Sequence, residues 1–215
     1  LGQFNEASGV LSVAIGSQLT SSSQSSTAFG YGSTAIGNYS TATGNTTTAS
    51  GYASTAMGAG TIASGGFSTA MGAVTTASGN YSTAMGVSTI ASGSVSTAMG
   101  DLSAATGYAS TAMGASSTAS GDYSFAIGQG TDSDGNTSSG TPYYTNEALG
   151  IRSFVIGSRN KATGDKSFTV GNDNLSQGYG SGTFGENNIT LSKWFTDAAP
   201  EMPEEPSLQF ATTRP

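Results

Sequence analysis

The chain has 215 residues, a net charge of -7 and only 35% hydrophobic residues, so it cannot build a thick core of Leu, Ile and Phe. It contains no Cys, which excludes disulfides and thiolate metal sites. No basic residue precedes Arg152, and this excludes binding of nucleic acid or of an anionic membrane surface along most of the chain, because both depend on Lys and Arg.

Glycine recurs at every seventh residue, without a miss from Gly30 to Gly128 and again from Gly150 to Gly185. The seven-residue units alternate between two types. One type, here called the Met heptad, reads YASTAMG at residues 52–58, and the other, the Ser heptad, reads AGTIASG at residues 59–65. The repeat is therefore fourteen residues long. Its Thr and Gly content and its period-two alternation favour strands over helices, and predict one coil of two short strands and two glycine turns per repeat.

The alternation assigns a face to each side chain. Ser54 and Ala56 share one face of the strand, and Thr55 and Met57 share the other. Because Ala recurs in both heptads, we place the Ala face inside and predict an interior of Ala, Ser and Thr. The Ser heptads carry Ser or Thr at the outer position. The Met heptads carry an outer apolar column made of Ile15, Phe29, Met57, Met71, Met85, Met99, Met113, Ile127, Ile156, Val170 and Phe184.

An exposed apolar column of this length is typical of an interface, so it predicts a homo-oligomer that packs on the Met face. The alternative is that Met faces the interior and Ala faces solvent, since Met does fill cores. Met occurs on only one of the two strand types, which favours burial against a partner.

The repeat predicts four segments: coils over residues 1–128, a loop insertion over 129–149, further coils over 150–185, and a non-repeat capping or connecting segment over 186–215. The insertion contains Pro142, Tyr143 and Tyr144. It is interpreted either as a lateral loop that contacts a ligand through the two Tyr, or as a packing insertion that covers a neighbouring subunit.

Three patterns suggest sites and are weighed against plainer explanations. Asp132, Asp134 and Asn136 have the spacing of a calcium loop, but Thr137 stands where Gly is expected, which favours a solvated acidic turn over a metal site. The G-x-G-x-x-G pattern at residues 180–185 lacks the helix that a dinucleotide site requires. The N-x-S/T sequons are explained by composition. The chain has no His, and its many Ser lack a base, so we expect neither an enzyme nor a cofactor.

The motif SVAIG stands at residues 12–16, STAIG at 33–37 and FAIG at 125–128, with ASG closing many Ser heptads. In these motifs, over about residues 7 to 185, the chain resembles the heads of trimeric autotransporter adhesins, the YadA-like family. The resemblance implies a left-handed parallel β-roll, a homotrimer, and apolar positions of the SVAIG strand at the trimer axis. Residues 186–215 depart from the family pattern, because they show no heptad stalk.

The function expected from this resemblance is that of a cell-surface adhesin head, which binds matrix, host or neighbouring cells through many weak copies of one surface. Its ligand would be an extracellular protein or glycan, and no apolar run is long enough to span a membrane. The alternative is a subunit of an extracellular filament or phage fibre, in which Ser207, Leu208, Gln209 and Phe210 add a strand to the next copy. An ice-binding Thr lattice is a weaker idea, since Ile62, Ile90 and Ala104 interrupt the Thr file.

Overall fold

Every regular element in the described part of the chain is a β-strand. A computed structural model describes residues 2–129 and 145–191, and the chain divides into two compact units, Leu1–Ala109 and Ser110–Pro215. Within these residues there is no helix long and apolar enough to cross a membrane. Each unit is a parallel β-solenoid with a coil of fourteen residues, which confirms the predicted all-β fold class.

In the first unit, each Met heptad forms a strand of five residues and each Ser heptad a strand of two. These are called the long and short strands. The long strands are β2 (Val13–Ser17), β4 (Thr27–Tyr31), β6 (Thr41–Asn45), β8 (Thr55–Ala59), β10 (Thr69–Ala73), β12 (Thr83–Val87) and β14 (Thr97–Asp101). The short strands are β1 (Glu6–Ala7), β3 (Thr20–Ser21), β5 (Thr34–Ala35), β7 (Thr48–Ala49), β9 (Ile62–Ala63), β11 (Thr76–Ala77), β13 (Ile90–Ala91) and β15 (Ala104–Ala105).

Long strands pair with long strands and short with short, always in parallel and in register. Met71 lies opposite Met85 in the long sheet, and Ala77 lies opposite Ala91 in the short sheet. Because the register equals the repeat, every position of the repeat forms a column of equivalent residues, spaced by roughly 4.8 Å.

The second unit is built in the same way. Its long strands are β16 (Thr111–Ala115), β18 (Phe125–Gln129), β20 (Phe154–Ser158), β22 (Phe168–Asn172) and β24 (Gly182–Glu186). Its short strands are β17 (Ser117–Ala119), β19 (Asn146–Ala148), β21 (Lys161–Ala162), β23 (Leu175–Ser176) and β25 (Ile189–Thr190).

Two predicted segment boundaries differ from this structure. Ser117 in β17 pairs with Asn146 in β19, 29 positions further on instead of 14. The last residues of the predicted insertion 129–149 therefore belong to the sheet, because they supply the short strand that this coil requires. At the other end, Ile189 in β25 pairs with Leu175 in β23, so the coils continue past the predicted boundary at residue 185.

The interior is lined by small side chains, as predicted. The inward Ala of both strand types is fully buried, for example Ala70 in β10 and Ala77 in β11, as are the inward Ser68 and Thr75. In the second unit, larger residues such as Val155 and Thr169 occupy the equivalent buried positions. The Ala-inside prediction is confirmed for both units.

The glycines are required by close approach between coils, and not only by turns. A Cβ on Gly79, in the turn after β11, would lie 2.0 Å from the carbonyl oxygen of Gly93 in the next coil. A Cβ on Gly72 would likewise lie 2.0 Å from the carbonyl oxygen of Gly86, and Gly72 also has a φ of +120°. Gly72 lies inside β10 and not in a turn, so the prediction of two glycine turns per coil is wrong for the Met heptads.

Buried amides form a column in the second unit. They are Asn146, Asn160 and Asn174, which lie in successive coils, just before or at the start of the short strands. The Oδ1 of each Asn accepts a hydrogen bond from the backbone N–H of the Asn in the next coil, and the last of these donors is Asn188. In the first unit the equivalent buried positions hold Thr61, Thr75 and Thr89, whose hydroxyl oxygens have no hydrogen-bond partner. Asn5 in the first unit makes the same pair of bonds, to the Gly16 carbonyl and from the Leu19 N–H, so the difference is confined to the coils that carry Thr.

Candidate interaction surfaces

The outer face of the long strands in the first unit carries the outer apolar column. Ile15 lies opposite Phe29, and Met57, Met71, Met85 and Met99 follow one another in register. Thr43 interrupts the column once, between Phe29 and Met57. These apolar side chains are exposed or partly exposed and none is buried within the unit. A second outer column, of Thr, runs beside them from Thr27 to Thr97.

The equivalent outer positions of the second unit hold Met113, Ile127, Ile156, Val170 and Phe184, in register from strand to strand. The neighbouring outer column here holds aromatic residues that the sequence analysis did not single out. Phe125 stacks on Phe154 with ring centroids 5.2 Å apart, and Phe168 packs edge to face against Phe184 of the outer apolar column at 4.7 Å. In the sequence, these aromatic residues are visible where STAMG changes to SFAIG and SFVIG, since Phe there replaces the outward Thr.

The outer face of the short strands mixes polar and apolar side chains. Ser64, Ser78 and Ser92 are exposed there, at the positions that the Ser heptads predict. Ile62 and Ile90 are also exposed on this face, and Ile36 occupies the Ser position in an earlier coil. This face is therefore less polar than the alternating heptads predict, although it carries no Met.

A column of four aromatic rings runs along the turns that lead from short to long strands in the first unit. The ring centroids of Tyr39 and Tyr52 are 5.5 Å apart, those of Tyr52 and Phe67 are 5.3 Å apart, and those of Phe67 and Tyr81 are 5.1 Å apart. The first two pairs meet edge to face and the last is stacked. This set is called the aromatic column.

The same turns in the second unit place cations beside aromatic rings. The Arg152 guanidinium lies 5.8 Å from the ring centre of Tyr123, and Lys166 Nζ lies 4.7 Å from that of Tyr179. Ion pairs also join successive coils: Lys161 Nζ is 2.6 Å from Glu147 Oε2, and Arg159 pairs with Asp173. Charge is therefore concentrated in this unit.

Several predicted site residues lie outside the described residues. They are Asp132, Asp134, Asn136, Tyr143, Tyr144, Ser207, Leu208, Gln209 and Phe210. Within residues 2–129 and 145–191, no three acidic side chains come together in a way that could hold a metal ion. Gly182 and Gly185 of the G-x-G-x-x-G pattern lie in β24, which is followed by the strand β25.

Comparison with protein families gives a match along the repeats. The model for the YadA head domain repeat matches residues 21–47, 49–74, 77–103, 105–131 and 148–174, which together make up more than half of the chain. Among solved structures, the chain is similar to the crystal structure of the collagen-binding domain of the Yersinia adhesin YadA, at 21% identity and a TM-score of 0.35. That similarity covers 85% of this chain and 81% of the other. No curated protein matches the chain.

Proposed function

The chain belongs to the YadA head family, and from this membership we propose that it is an extracellular adhesive module that works as a homotrimer on a cell surface. The proposed number of three copies is taken from the family. The surface through which they pack is the outer face of the long strands.

The observation that supports this proposal is the outer apolar column. Within one copy, Met57, Met71, Met85 and Met99 stand side by side on a sheet face without a covering layer. The interior behind them is made of Ala, Ser and Thr, which bury little apolar area per coil. Covering the column by identical copies would supply apolar burial that the single roll lacks.

The oligomer is tested by placing charge on one face at a time. The triple variant Met71→Asp, Met85→Asp and Met99→Asp should dissociate or unfold the protein, because three carboxylates would be buried in an apolar interface. The matched control is Ser64→Asp, Ser78→Asp and Ser92→Asp, which adds the same charge to the opposite face. The measurement is molar mass in solution by light scattering. Equal masses for both variants and the unmodified chain would refute the Met-face interface.

The adhesive role is tested by binding to immobilised extracellular matrix proteins, including collagen, and to whole cells. Weak contacts repeated in a trimer gain on the order of 10²–10⁴ in apparent affinity when all copies reach the target. We therefore expect the unmodified trimer to bind at least one surface far better than the dissociated Met variant does. Absence of binding to every surface would contradict the adhesive role while leaving the oligomer intact.

A second candidate is a filament subunit that joins its copies end to end. Its support is the register: every strand of the two sheets pairs in parallel with strands of its own kind, and a strand from another copy can add to such a sheet in the same way. Electron microscopy of the purified chain separates the two functions: long polymers support the filament, and discrete particles of one size contradict it.

A further inference from the structure

We propose that the long-strand face of the second unit aligns the copies of this chain with one another, so that each coil packs against the same coil of a neighbouring copy. The residues that do this, here called the alignment face, are Phe125, Phe154, Phe168, Gly182 and Phe184. The inference rests on the proposed homotrimer and names the part of its interface that sets the alignment. The partner on the alignment face is therefore a second copy of this chain.

The Met coils of the first unit cannot set this alignment by themselves. The long strands β8, β10, β12 and β14 all present the same outward pair, a Thr followed two residues later by a Met. A neighbouring copy displaced by one coil, roughly 4.8 Å, would therefore meet the same side chains again. The displacement matters, because closed cyclic symmetry requires equivalent residues at the same height, whereas an offset contact leads to an open assembly.

The alignment face breaks this uniformity. Its coils do not repeat one outward pair, and the large side chain changes position in the last of them. The outward pairs from β18 to β24 are Phe125 with Ile127, Phe154 with Ile156, Phe168 with Val170, and Gly182 with Phe184. A copy displaced by one coil would bring Phe168 to the height of Gly182. Because packed interfaces tolerate neither voids nor overlaps, only the aligned arrangement fits throughout.

The step from Phe168 to Gly182 is built into the sheet. A Cβ on Gly182 would overlap the ring of Phe168, to which its three nearest atoms belong. The ring therefore lies over the backbone of Gly182, which is buried. The same ring packs edge to face against Phe184, with ring centroids 4.7 Å apart. Two residues of the next coil thus hold Phe168 in place, which gives the alignment face a defined shape within one copy.

The distribution of charge fits an apolar partner of identical shape. Phe154 and Phe184 are each 37% exposed within one copy. The second unit holds all four basic residues of the described part of the chain, yet none of them lies on the alignment face or in the outer apolar column beside it. An uncharged aromatic face in the unit where charge is concentrated is typical of the core of an interface. Identical copies supply the matching face.

The test uses the fact that the chain contains no Cys. Ile127→Cys and Ile156→Cys serve as reporters, because these residues lie opposite each other in the adjacent coils β18 and β20. The two reporters are placed in separate chains with tags of different size, which are expressed together and treated with a short bifunctional thiol reagent. Aligned copies link like reporters, and copies displaced by one coil link unlike reporters.

The decisive variant makes the second unit as uniform as the Met coils. In this uniform variant, Phe125→Thr, Phe154→Thr, Phe168→Thr, Gly182→Thr and Phe184→Ile give every coil an outward Thr and an aliphatic residue. Gly182→Thr has room here, because the ring that a Cβ would overlap has been removed. The matched control is Phe29→Met with Thr43→Met, which makes the column of the first unit uniform and leaves the alignment face intact.

We expect the unmodified protein and the control to link like reporters only. The uniform variant should link unlike reporters in at least tenfold higher yield, at unchanged molar mass. If the uniform variant loses its molar mass, the smaller variant Phe168→Thr with Gly182→Thr, which erases only the step between these two coils, is judged by the same criterion.

Three results would overturn the proposal: only like links in the variant that keeps its molar mass, unlike links in the unmodified protein or the control, or no links in any of them. Light scattering separates this failure from failure of the proposed homotrimer. A monomeric unmodified chain contradicts both, whereas an oligomeric unmodified chain with any of these results contradicts only the alignment face.

Discussion

Asn174 lies one coil after Asn160, and its backbone N–H donates a 3.1 Å hydrogen bond to Asn160 Oδ1. Asn160 Nδ2 in turn donates to the carbonyl of Gly171 at 2.7 Å. One side chain therefore satisfies a buried donor, the Asn174 N–H, and a part-buried acceptor, the Gly171 carbonyl, both in the neighbouring coil.

Removing this amide should destabilise the second unit. In Asn160→Ala the Asn174 N–H and the Gly171 carbonyl lose their partner in the interior, and each unsatisfied buried group costs about 1–3 kcal/mol. Asn172→Ala is the control, since its hydrogen bond to Glu186 is exposed and 3.3 Å long. The measurement is the free energy of unfolding by urea titration. A similar loss for both variants would show that the buried amide has no special role.

The converse change should stabilise the first unit. Thr61, Thr75 and Thr89 occupy the equivalent column with unpartnered hydroxyl oxygens. Replacing all three by Asn would introduce the amide pattern of the second unit, worth about 1 kcal/mol for each new hydrogen bond. An increase in melting temperature of the triple variant is the expected result. A decrease would mean that the Ala-lined interior of this unit has no room for the longer side chain.

Two glycines, in equivalent turns of adjacent coils, should differ in how replacement by Ala changes the stability of the protein. Gly79→Ala would place a Cβ 2.0 Å from the Gly93 carbonyl oxygen, so the coils would have to separate, at a cost of about 3 kcal/mol or more. In Gly66→Ala the Cβ would contact only Asn80 Oδ1 at 3.4 Å, and the loss of chain entropy in the unfolded state should leave stability unchanged or slightly higher. Thermal unfolding of the two variants measures the difference. Equal melting temperatures would contradict the explanation that close approach between coils requires a glycine at every seventh residue.

Val74 should be replaceable by Asn with a gain in stability. This exposed β-branched residue has a φ of 57°, whereas the preceding coil has Gly60 at the same position with a φ of +62°. Asn tolerates this conformation better, so Val74→Asn should raise the free energy of unfolding by about 1 kcal/mol. Gly60→Val should lower the free energy of unfolding by a comparable amount. A change of the same sign in both variants would show that the positive φ at this position does not strain Val.

The sequence predicts the columns because its period equals the register. Ala56 inside and Met57 outside follow from alternation alone. The sequence does not separate SVAIG at residues 12–16 from STAIG at 33–37, yet Val13–Ser17 forms a long strand and Thr34–Ala35 a short one. The position within the fourteen-residue repeat decides the strand type, because each strand must pair with its own kind in the next coil.

Other features depend on contacts between coils and are not visible in a single repeat. The fourteen-residue period does not predict the aromatic column, because Tyr52 and Phe67 occupy different turn positions. The sequence of the strand Asn146–Ala148 does not match the Ser heptad. Its place in the sheet is therefore recognised only from its pairing with β17. The amide role of Asn160 depends on the carbonyl of Gly171, eleven residues away.

The parallel register of fourteen residues limits how such a chain can change in length. Gain or loss of fourteen residues returns every side chain to its own column, with Met beside Met and glycine beneath a glycine carbonyl. Gain or loss of seven residues keeps a glycine at every seventh position but sets a long strand against a short one, so the apolar column would pass to the outer face of the short strands. Whole coils are therefore the unit in which the reach of this molecule can be lengthened or shortened without redesign of its surfaces.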